Sequence, residues 1–124
     1  MVLFKMYKYF SEEELTCQHC NAEGMDKEFM QKIEKLREEA DFPFIVTSAY
    51  RCTDHPLEAV KSTVGAHTTG RAIDIAVRGN KAHRLLKLAM EAGFTGIGVQ
   101  QKGNSRFLHL DDMTEGNRPW VWSY

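Results

Sequence analysis

Residues 65–77 read GAHTTGRAIDIAV, and this stretch decides how we expect the chain to fold. Its second half, AIDIAV, alternates large aliphatic side chains with small or polar ones, which is typical of a strand with one buried face. The aliphatic residues belong to the core, so Asp74 lies on the other face, between two alanines that leave space beside its carboxylate. Gly70 can adopt a positive φ and fold the preceding loop, which carries His67, back over this strand.

Residues 107–112, FLHLDD, repeat the same pattern. The two leucines alternate with His109 and Asp111, so a second strand has one apolar and one polar face. If the two strands are neighbours with these faces aligned, His67, Asp74 and His109 converge. Two imidazoles and one carboxylate leave a fourth tetrahedral position for water, as in catalytic zinc sites. The alternative is that each His is an ordinary surface or core residue.

The periodicity of the remaining chain predicts an α+β fold: a small, mainly antiparallel sheet with helices packed on one side and the metal site on the open face. Residues 53–70 form a long loop, with one helical turn near 57–61, and Asn80 is expected to cap the last helix. The expected helices cover 12–16, 26–40 and 80–91, and the expected strands cover 44–47, 72–77, 96–100 and 107–111.

Composition limits the possible functions. The 124 residues, 43% apolar and 27% charged, predict one domain over 1–124. A net charge of -1 argues against nucleic-acid binding, and no apolar run reaches the ~18 residues of a membrane span. No secretory signal is recognisable. We therefore expect a monomer without nucleic-acid or membrane partners, made in the cytoplasm and delivered separately to any target outside it.

Three cysteines cannot all be paired in one disulfide framework. Cys17 and Cys20 form a C-x-x-C pair around His19, for which a structural zinc, a local disulfide or redox pair, and plain thiols all remain open. Cys52 follows an apolar strand and is expected to be a small buried side chain.

Three motifs together resemble the M15 family of zinc D-Ala-D-Ala peptidases. They are the run SAYR at 48–51, the H-x-x-G-x-A-x-D of His67 to Asp74, and the H-x-D of His109 to Asp111. Their order and spacing match, and the similarity to the small, single-domain members, many of them from phages, extends over nearly the whole chain. The resemblance implies zinc-dependent hydrolysis of peptide bonds in peptidoglycan stem peptides, with His67, Asp74 and His109 as zinc ligands.

Arg51 matches the family's arginine that binds the substrate carboxylate. A guanidinium offers two parallel donors to a carboxylate, which agrees with this role; the alternative is an ordinary solvated charge at a strand end. Ser48 and Tyr50 are expected to line the same mouth, although Tyr50 is equally suited to packing. Near the C-terminus, Trp120 and Trp122 are expected to close the core or to form a wall of the groove.

The chain departs from the family at the general base. Many relatives have Glu three residues before the last His ligand, where this chain has Arg106. Asp111 shares a face with His109 and is the best substitute, but it is equally suited to orienting a ligand imidazole. Asp112 and His55 are weaker candidates for the base. The departure keeps open a second function, that of a zinc-stabilised module that binds cell-wall peptides without hydrolysing them.

Overall fold

The computed structural model describes residues 7–56 and 65–124. Within these ranges no helix is long and apolar enough to cross a membrane. The helical turn expected at 57–61 lies outside the described residues. The elements in chain order are α1 (Glu12–Leu15), α2 (Lys27–Ala40), β1 (Ile45–Ser48), a 3₁₀ helix (Ala66–Thr69), β2 (Ala72–Ala76), α3 (Gly79–Glu91), β3 (Gly96–Gln100), β4 (Phe107–Asp111) and β5 (Trp120–Ser123).

The strands form one five-stranded sheet in the order β1-β2-β4-β3-β5. Every neighbouring pair is antiparallel except β3 and β5, which are parallel. The α+β fold with a mainly antiparallel sheet is therefore confirmed. The sequence analysis did not predict β5, whose WVWS run alternates apolar residues without a core to receive them: Trp120 is 52% exposed and does not close the core.

The first two helices begin at residues whose side chains cap them. The Ser11 hydroxyl accepts a hydrogen bond from the Glu14 backbone N–H at 3.3 Å, and the Glu14 carboxylate accepts one from the Ser11 N–H at 3.0 Å. This is a capping box, which satisfies two backbone donors at the start of α1. At α2, the Asp26 carboxylate accepts from the N–H of Phe29 at 2.9 Å.

The start of α3 differs from the expectation. Asn80 lies inside the helix and does not cap it, because the helix already begins at Gly79; its N-cap, Arg78, makes no side-chain cap bond. Gly79 has a φ of 63°, a left-handed conformation that glycine adopts without steric cost, so the chain turns into the helix before Asn80. Gly93, at φ 87°, follows the other end of the helix.

The core lies between the sheet and α2 and α3. The aliphatic residues of β2 and β4 face the helices and are fully buried, as strand alternation predicts. The helix residues opposite them recur at three- and four-residue steps. The residues with at most 2% exposure in this layer include Phe29, Met30, Ile33, Leu36, Ile73, Ile75, Leu85, Ile97, Leu108 and Leu110.

Candidate active site

A single row of residues crosses the open face of the sheet. The strand register pairs Ser48 with Asp74, Asp74 with His109, His109 with Gly98, and Gly98 with Trp122. Directly opposed residues on neighbouring strands project from the same face. The sheet therefore places Asp74 and His109 side by side, and Trp122 two strands away. A side chain at Gly98 would overlap the Trp122 indole, so the glycine leaves space for that ring.

His67 reaches this row from the 3₁₀ helix that precedes β2. Gly70 ends that helix with a φ of 76°, and its carbonyl accepts a hydrogen bond from the N–H of Asp26 at 2.9 Å. A Cβ at Gly70 would overlap the carbonyl of Gly24. Only glycine fits this position, which allows the chain to bring His67 over β2.

The structure brings His67, Asp74 and His109 together. The Oδ1 atom of Asp74 lies 3.2 Å from Nε2 of His67 and 3.0 Å from Nδ1 of His109. The two imidazole centroids are 5.1 Å apart. All three residues are buried, and their ligand atoms lie within 4.8 Å of one another. The three residues that the sequence spacing singled out thus form one compact group.

Hydrogen bonds determine which imidazole nitrogens face Asp74. Nδ1 of His67 lies 2.7 Å from the carbonyl oxygen of Ala49, which can only accept, so Nδ1 carries the proton. Nε2 of His109 lies 2.7 Å from Oδ2 of Asp111, so this nitrogen donates to the carboxylate. In the tautomers that would bind a metal, with both rings neutral, each ring directs an unprotonated nitrogen toward Asp74. Three acceptors that converge in a buried place need a cation between them.

The electrostatic surroundings of Asp74 and His109 favour the charged form of each side chain. Burial raises the pKa of Asp74, but hydrogen bonds to His109 and His67 outweigh it and lower the pKa below its ordinary value. For His109 burial lowers the pKa, and the bonds to Asp111 and Asp74 outweigh it, so the net pKa is raised. Asp74 is therefore ionised at neutral pH and favours positive charge beside it.

Asp111 is occupied on both carboxylate oxygens. Oδ1 accepts from Nε of Arg118 at 2.9 Å and from the N–H of Met113 at 3.3 Å. Oδ2 accepts from Arg118 at 2.7 Å and from His109 at 2.7 Å. Burial raises the pKa of Asp111, but His109 and Arg118 outweigh it and lower the pKa to about 2. These contacts suit orientation of His109; they engage the lone pairs that a general base needs.

Arg118 was missed by the sequence analysis as a partner of Asp111. A fully buried carboxylate requires a compensating cation, and Arg118 is the arginine in the RPWVWSY run that follows β4 in the chain. Gly96 makes the pairing possible, because a Cβ at this position would overlap the Asp111 carboxylate.

The group opens into a cleft of about 450 Å³. Arg51 lies at its edge: NH2 is 3.9 Å from Oδ2 of Asp74, and the backbone N–H donates to the carbonyl of His67 at 3.2 Å. Among the described residues, the cleft is lined by Arg51, Ala66, His67, Asp74, Phe107, His109, Arg118, Trp122 and Tyr124. Trp122 is therefore a wall of the groove, at 5.0 Å between its ring centroid and that of His109.

Ser48 and Tyr50 fall outside this lining. The Ser48 hydroxyl accepts a hydrogen bond from Nε of Arg51 at 3.0 Å and so orients the guanidinium. The ring of Tyr50 packs on Gly24, where an added Cβ would overlap it. Tyr50 is therefore a packing residue at this position, which was the alternative that the sequence left open.

Arg106, which replaces the usual Glu, and the two weaker candidates for the general base all lie outside the lining of the cleft. Nε of Arg106 donates to the carbonyl of Gly103 at 2.9 Å, in the turn between β3 and β4. Asp112 contacts Lys32 of α2 on the helix side of the sheet. The His55 ring packs edge-on against His19, with centroids 6.2 Å apart, beside the cysteines.

A family model described as Peptidase M15 matches residues 8–111. The chain belongs to the peptidase M15 family. No curated protein matches the chain. M15 peptidases are metalloenzymes, and the matched segment contains both candidate metal-binding groups of the described residues: His67, Asp74 and His109, and the three cysteines.

The His67 group fits a zinc ion by its chemistry. Zinc accepts imidazole nitrogen and carboxylate oxygen, and catalytic sites keep three protein ligands. Bond lengths of about 2.0–2.1 Å in a tetrahedron separate neighbouring ligand atoms by about 3.4 Å. The observed separations from Asp74 Oδ1, 3.0 and 3.2 Å, differ from this by a few tenths of an ångström. Asp111 and Ala49 accept from the opposite ring nitrogens, as such ligand imidazoles require.

Proposed function

We propose that this M15 family member is a zinc peptidase that hydrolyses peptide bonds in peptidoglycan stem peptides, of the D-Ala-D-Ala carboxypeptidase or endopeptidase type. The observation that carries the proposal is the convergence of His67, Asp74 and His109 on the floor of an open cleft. The substrate class is inferred from the motifs that resemble the D-Ala-D-Ala peptidases.

In this proposal His67, Asp74 and His109 hold the zinc ion. The chemistry supplied by zinc at such a site is Lewis acidity and activation of water near neutral pH. Asp111 acts as a positioning residue and not as the general base, since its oxygens already bind His109 and Arg118. It keeps the correct His109 nitrogen unprotonated and aimed at the ion.

Arg51 has the role of binding the substrate carboxylate. Ser48 accepts from Nε, and the backbone of Arg51 is tied to His67, so the guanidinium is oriented at the cleft edge close to the metal group. A peptide whose terminal carboxylate pairs with Arg51 would place its last peptide bond near the ligand residues. Trp122 and Phe107 provide apolar walls that exclude water from the bound peptide.

The experiment combines a zinc assay with mass spectrometry of digested stem pentapeptide and muropeptide. Wild-type protein is expected to release D-alanine or cleave the cross-link, and to lose turnover on addition of a chelator. His67→Ala should lower kcat/KM by more than the roughly 100-fold that loss of an outer-shell partner costs. The matched control is His83→Ala, which removes an exposed histidine of α3 and should leave turnover unchanged.

Two outcomes would contradict the proposal. Turnover that survives in a double variant, His67→Ala with Asp74→Ala, would remove the metal assignment. Saturable peptide binding without any product after long incubation would instead favour the non-hydrolytic binding module, which the replacement of the usual Glu by Arg106 and the full engagement of Asp111 support.

A further inference from the structure

A second cluster of metal-ligating side chains lies outside the cleft. The Sγ atoms of Cys17, Cys20 and Cys52 lie within 4.8 Å of one another. Cys17 is buried at the base of the cluster, Cys52 is half-buried, and Cys20 is exposed. The cluster brings residues from two distant parts of the chain to one place, since Cys52 follows Cys17 by 35 positions.

An imidazole lies beside Cys52 at the edge of this cluster. Nδ1 of His19 lies 3.6 Å from Sγ of Cys52. With zinc bonds of about 2.3 Å to sulfur and about 2.0–2.1 Å to nitrogen, a tetrahedron separates neighbouring sulfur and nitrogen ligands by about 3.6 Å and two sulfurs by about 3.8 Å. The distance from His19 to Cys52 already has this value, the sulfur atoms need to approach by at most about 1 Å, and the His19 ring would move toward Cys17 and Cys20 when the metal binds.

We propose that Cys17, His19, Cys20 and Cys52 form a closed, structural zinc site. Three thiolates and one imidazole are a donor set of structural zinc sites, which use four protein ligands and leave no position for water. The set differs in this respect from the three-ligand group in the cleft, so one chain holds one open and one closed site.

The backbone prepares the cysteines for a metal. The N–H of Asn21 donates to the carbonyl of Cys17 at 2.7 Å, and the N–H of Cys17 donates to the carbonyl of Ala22 at 3.0 Å. This turn places Cys17 and Cys20 side by side. The N–H of Cys52 donates to Sγ of Cys17 at 3.3 Å, and such a bond favours the thiolate form that zinc requires.

The main rival is a disulfide. A disulfide would join two of the three sulfur atoms and leave the third beside it without a role, whereas a metal uses all three together with His19. The described cysteines are all free thiols. The convergence of three sulfur atoms from two segments, with His19 beside one of them, therefore favours the metal.

The site would connect the start of the chain to the cleft. Zinc bound there joins the turn at 17–22 to the segment after β1, and closing a loop of this length restricts the unfolded chain as a disulfide does. Arg51 directly precedes Cys52 in the sequence, so the same ion would fix the segment that carries Arg51 at the cleft edge.

The test counts zinc by native mass spectrometry on protein purified with a reductant. Wild type is expected to hold two zinc ions per chain, and the double variant His67→Ala with Asp74→Ala should keep one. Cys20→Ser changes an exposed residue, and it should lose one ion. Gln18→Ala, an exposed residue of the same turn, is the control and should keep two.

Cobalt substitution gives an independent readout. The His67→Ala, Asp74→Ala variant loaded with cobalt should show a near-ultraviolet thiolate-to-metal charge-transfer band, and adding Cys20→Ser should remove or strongly weaken it. Wild type with one zinc that is lost in the His67 and Asp74 variant would overturn the proposal, as would an intact mass two hydrogens lighter that marks a disulfide. Neither result depends on hydrolysis, so this site and the peptidase activity can fail separately.

Discussion

Asp111 and Asp112 are adjacent in the sequence and both are buried, yet they contact opposite sides of the sheet. Asp111 faces the cleft, where it binds His109 and Arg118. Asp112 faces the helices, where it binds Lys32 of α2 at 2.7 Å and Arg71 at 2.6 Å. Strand alternation thus assigns the same side-chain type to two tasks.

The comparison extends to the surroundings of each carboxylate. Around Asp111 the sheet carries ligand-type side chains and Gly96, which leaves room for the carboxylate. Around Asp112, Arg71 also reaches Asp26 at 2.7 Å, so this ion-pair cluster ties the start of β2 and the end of β4 to the first turn of α2. We therefore expect changes at Asp111 to affect the metal, and changes at Asp112 to affect stability.

Of the variants that test this comparison, Asp111→Asn is expected to have the largest effect. The amide has one acceptor oxygen and an NH2 donor in place of two acceptor oxygens, and it carries no charge. It cannot accept all four bonds that Arg118, His109 and Met113 now donate, so His109 is held less firmly in its tautomer and orientation. We expect zinc affinity in the cleft and kcat/KM to fall by about 10–100-fold. Competition with a chromophoric chelator measures the affinity, and peptide hydrolysis measures the rate.

The matched control is the same substitution one residue later. Asp112→Asn should leave cleft zinc affinity and kcat/KM unchanged at temperatures where the protein is folded. If the two variants lost zinc equally, the assignment of the two faces to chemistry and to stability would be wrong.

Asp112→Asn is expected to give the next largest effect, on stability. It weakens hydrogen bonds to the charged groups of Arg71 and Lys32, each partly exposed, so we expect unfolding free energy to fall by about 2 kcal/mol. Urea denaturation at equal zinc concentration measures the change. Asp54→Asn, at an exposed position, is the control and should change stability by less than about 0.5 kcal/mol.

The difference in stability between wild type and Asp112→Asn is expected to depend on pH. Burial raises the pKa of Asp112, but Arg71 and Lys32 outweigh it and the net pKa is lowered. A depressed carboxyl pKa gives stability that is fully present above the unfolded value, about 3.9, and is lost as pH falls through the folded value. The gap between wild type and Asp112→Asn should therefore be constant near neutral pH and close below about pH 4. A gap that widened toward acid pH would contradict this origin.

The fold could be predicted largely from local patterns. Alternation in AIDIAV and FLHLDD identified the two central strands, and the apolar period over 26–40 identified α2, because burial of one face imposes these periods. β5 was missed because it is a short edge strand whose pairing with β3 depends on long-range contacts. The start of α3 was misjudged because a glycine conformation, and not a side-chain cap, begins that helix.

The candidate site was predictable as a set of residues but not as a network. The alternation of side chains along the strands predicted that His67, Asp74 and His109 would converge, and the spacing of these residues resembled that of a known family. The role of Asp111 depended on Arg118, which joins it from beyond β4. The cysteine cluster depended on Cys52 meeting the Cys17 turn across 35 positions. No local period encodes either contact.

The smallest effect is expected from Arg51→Lys. This variant tests whether substrate binding in the cleft can be changed without changing metal binding. Lysine keeps the charge but offers no paired donors to a carboxylate, and it loses the bond from Nε to Ser48. We expect KM for a peptide with a free terminal carboxylate to rise about tenfold, or about 1.4 kcal/mol, with little change in kcat or in zinc affinity. An amidated peptide should show little difference between the two proteins, because it has no carboxylate to bind.

Arg106→Lys, in the turn between β3 and β4, is the control and should leave KM unchanged. A fall in zinc content in Arg51→Lys would instead mean that Arg51 supports Asp74, 3.9 Å away, and does not bind the substrate.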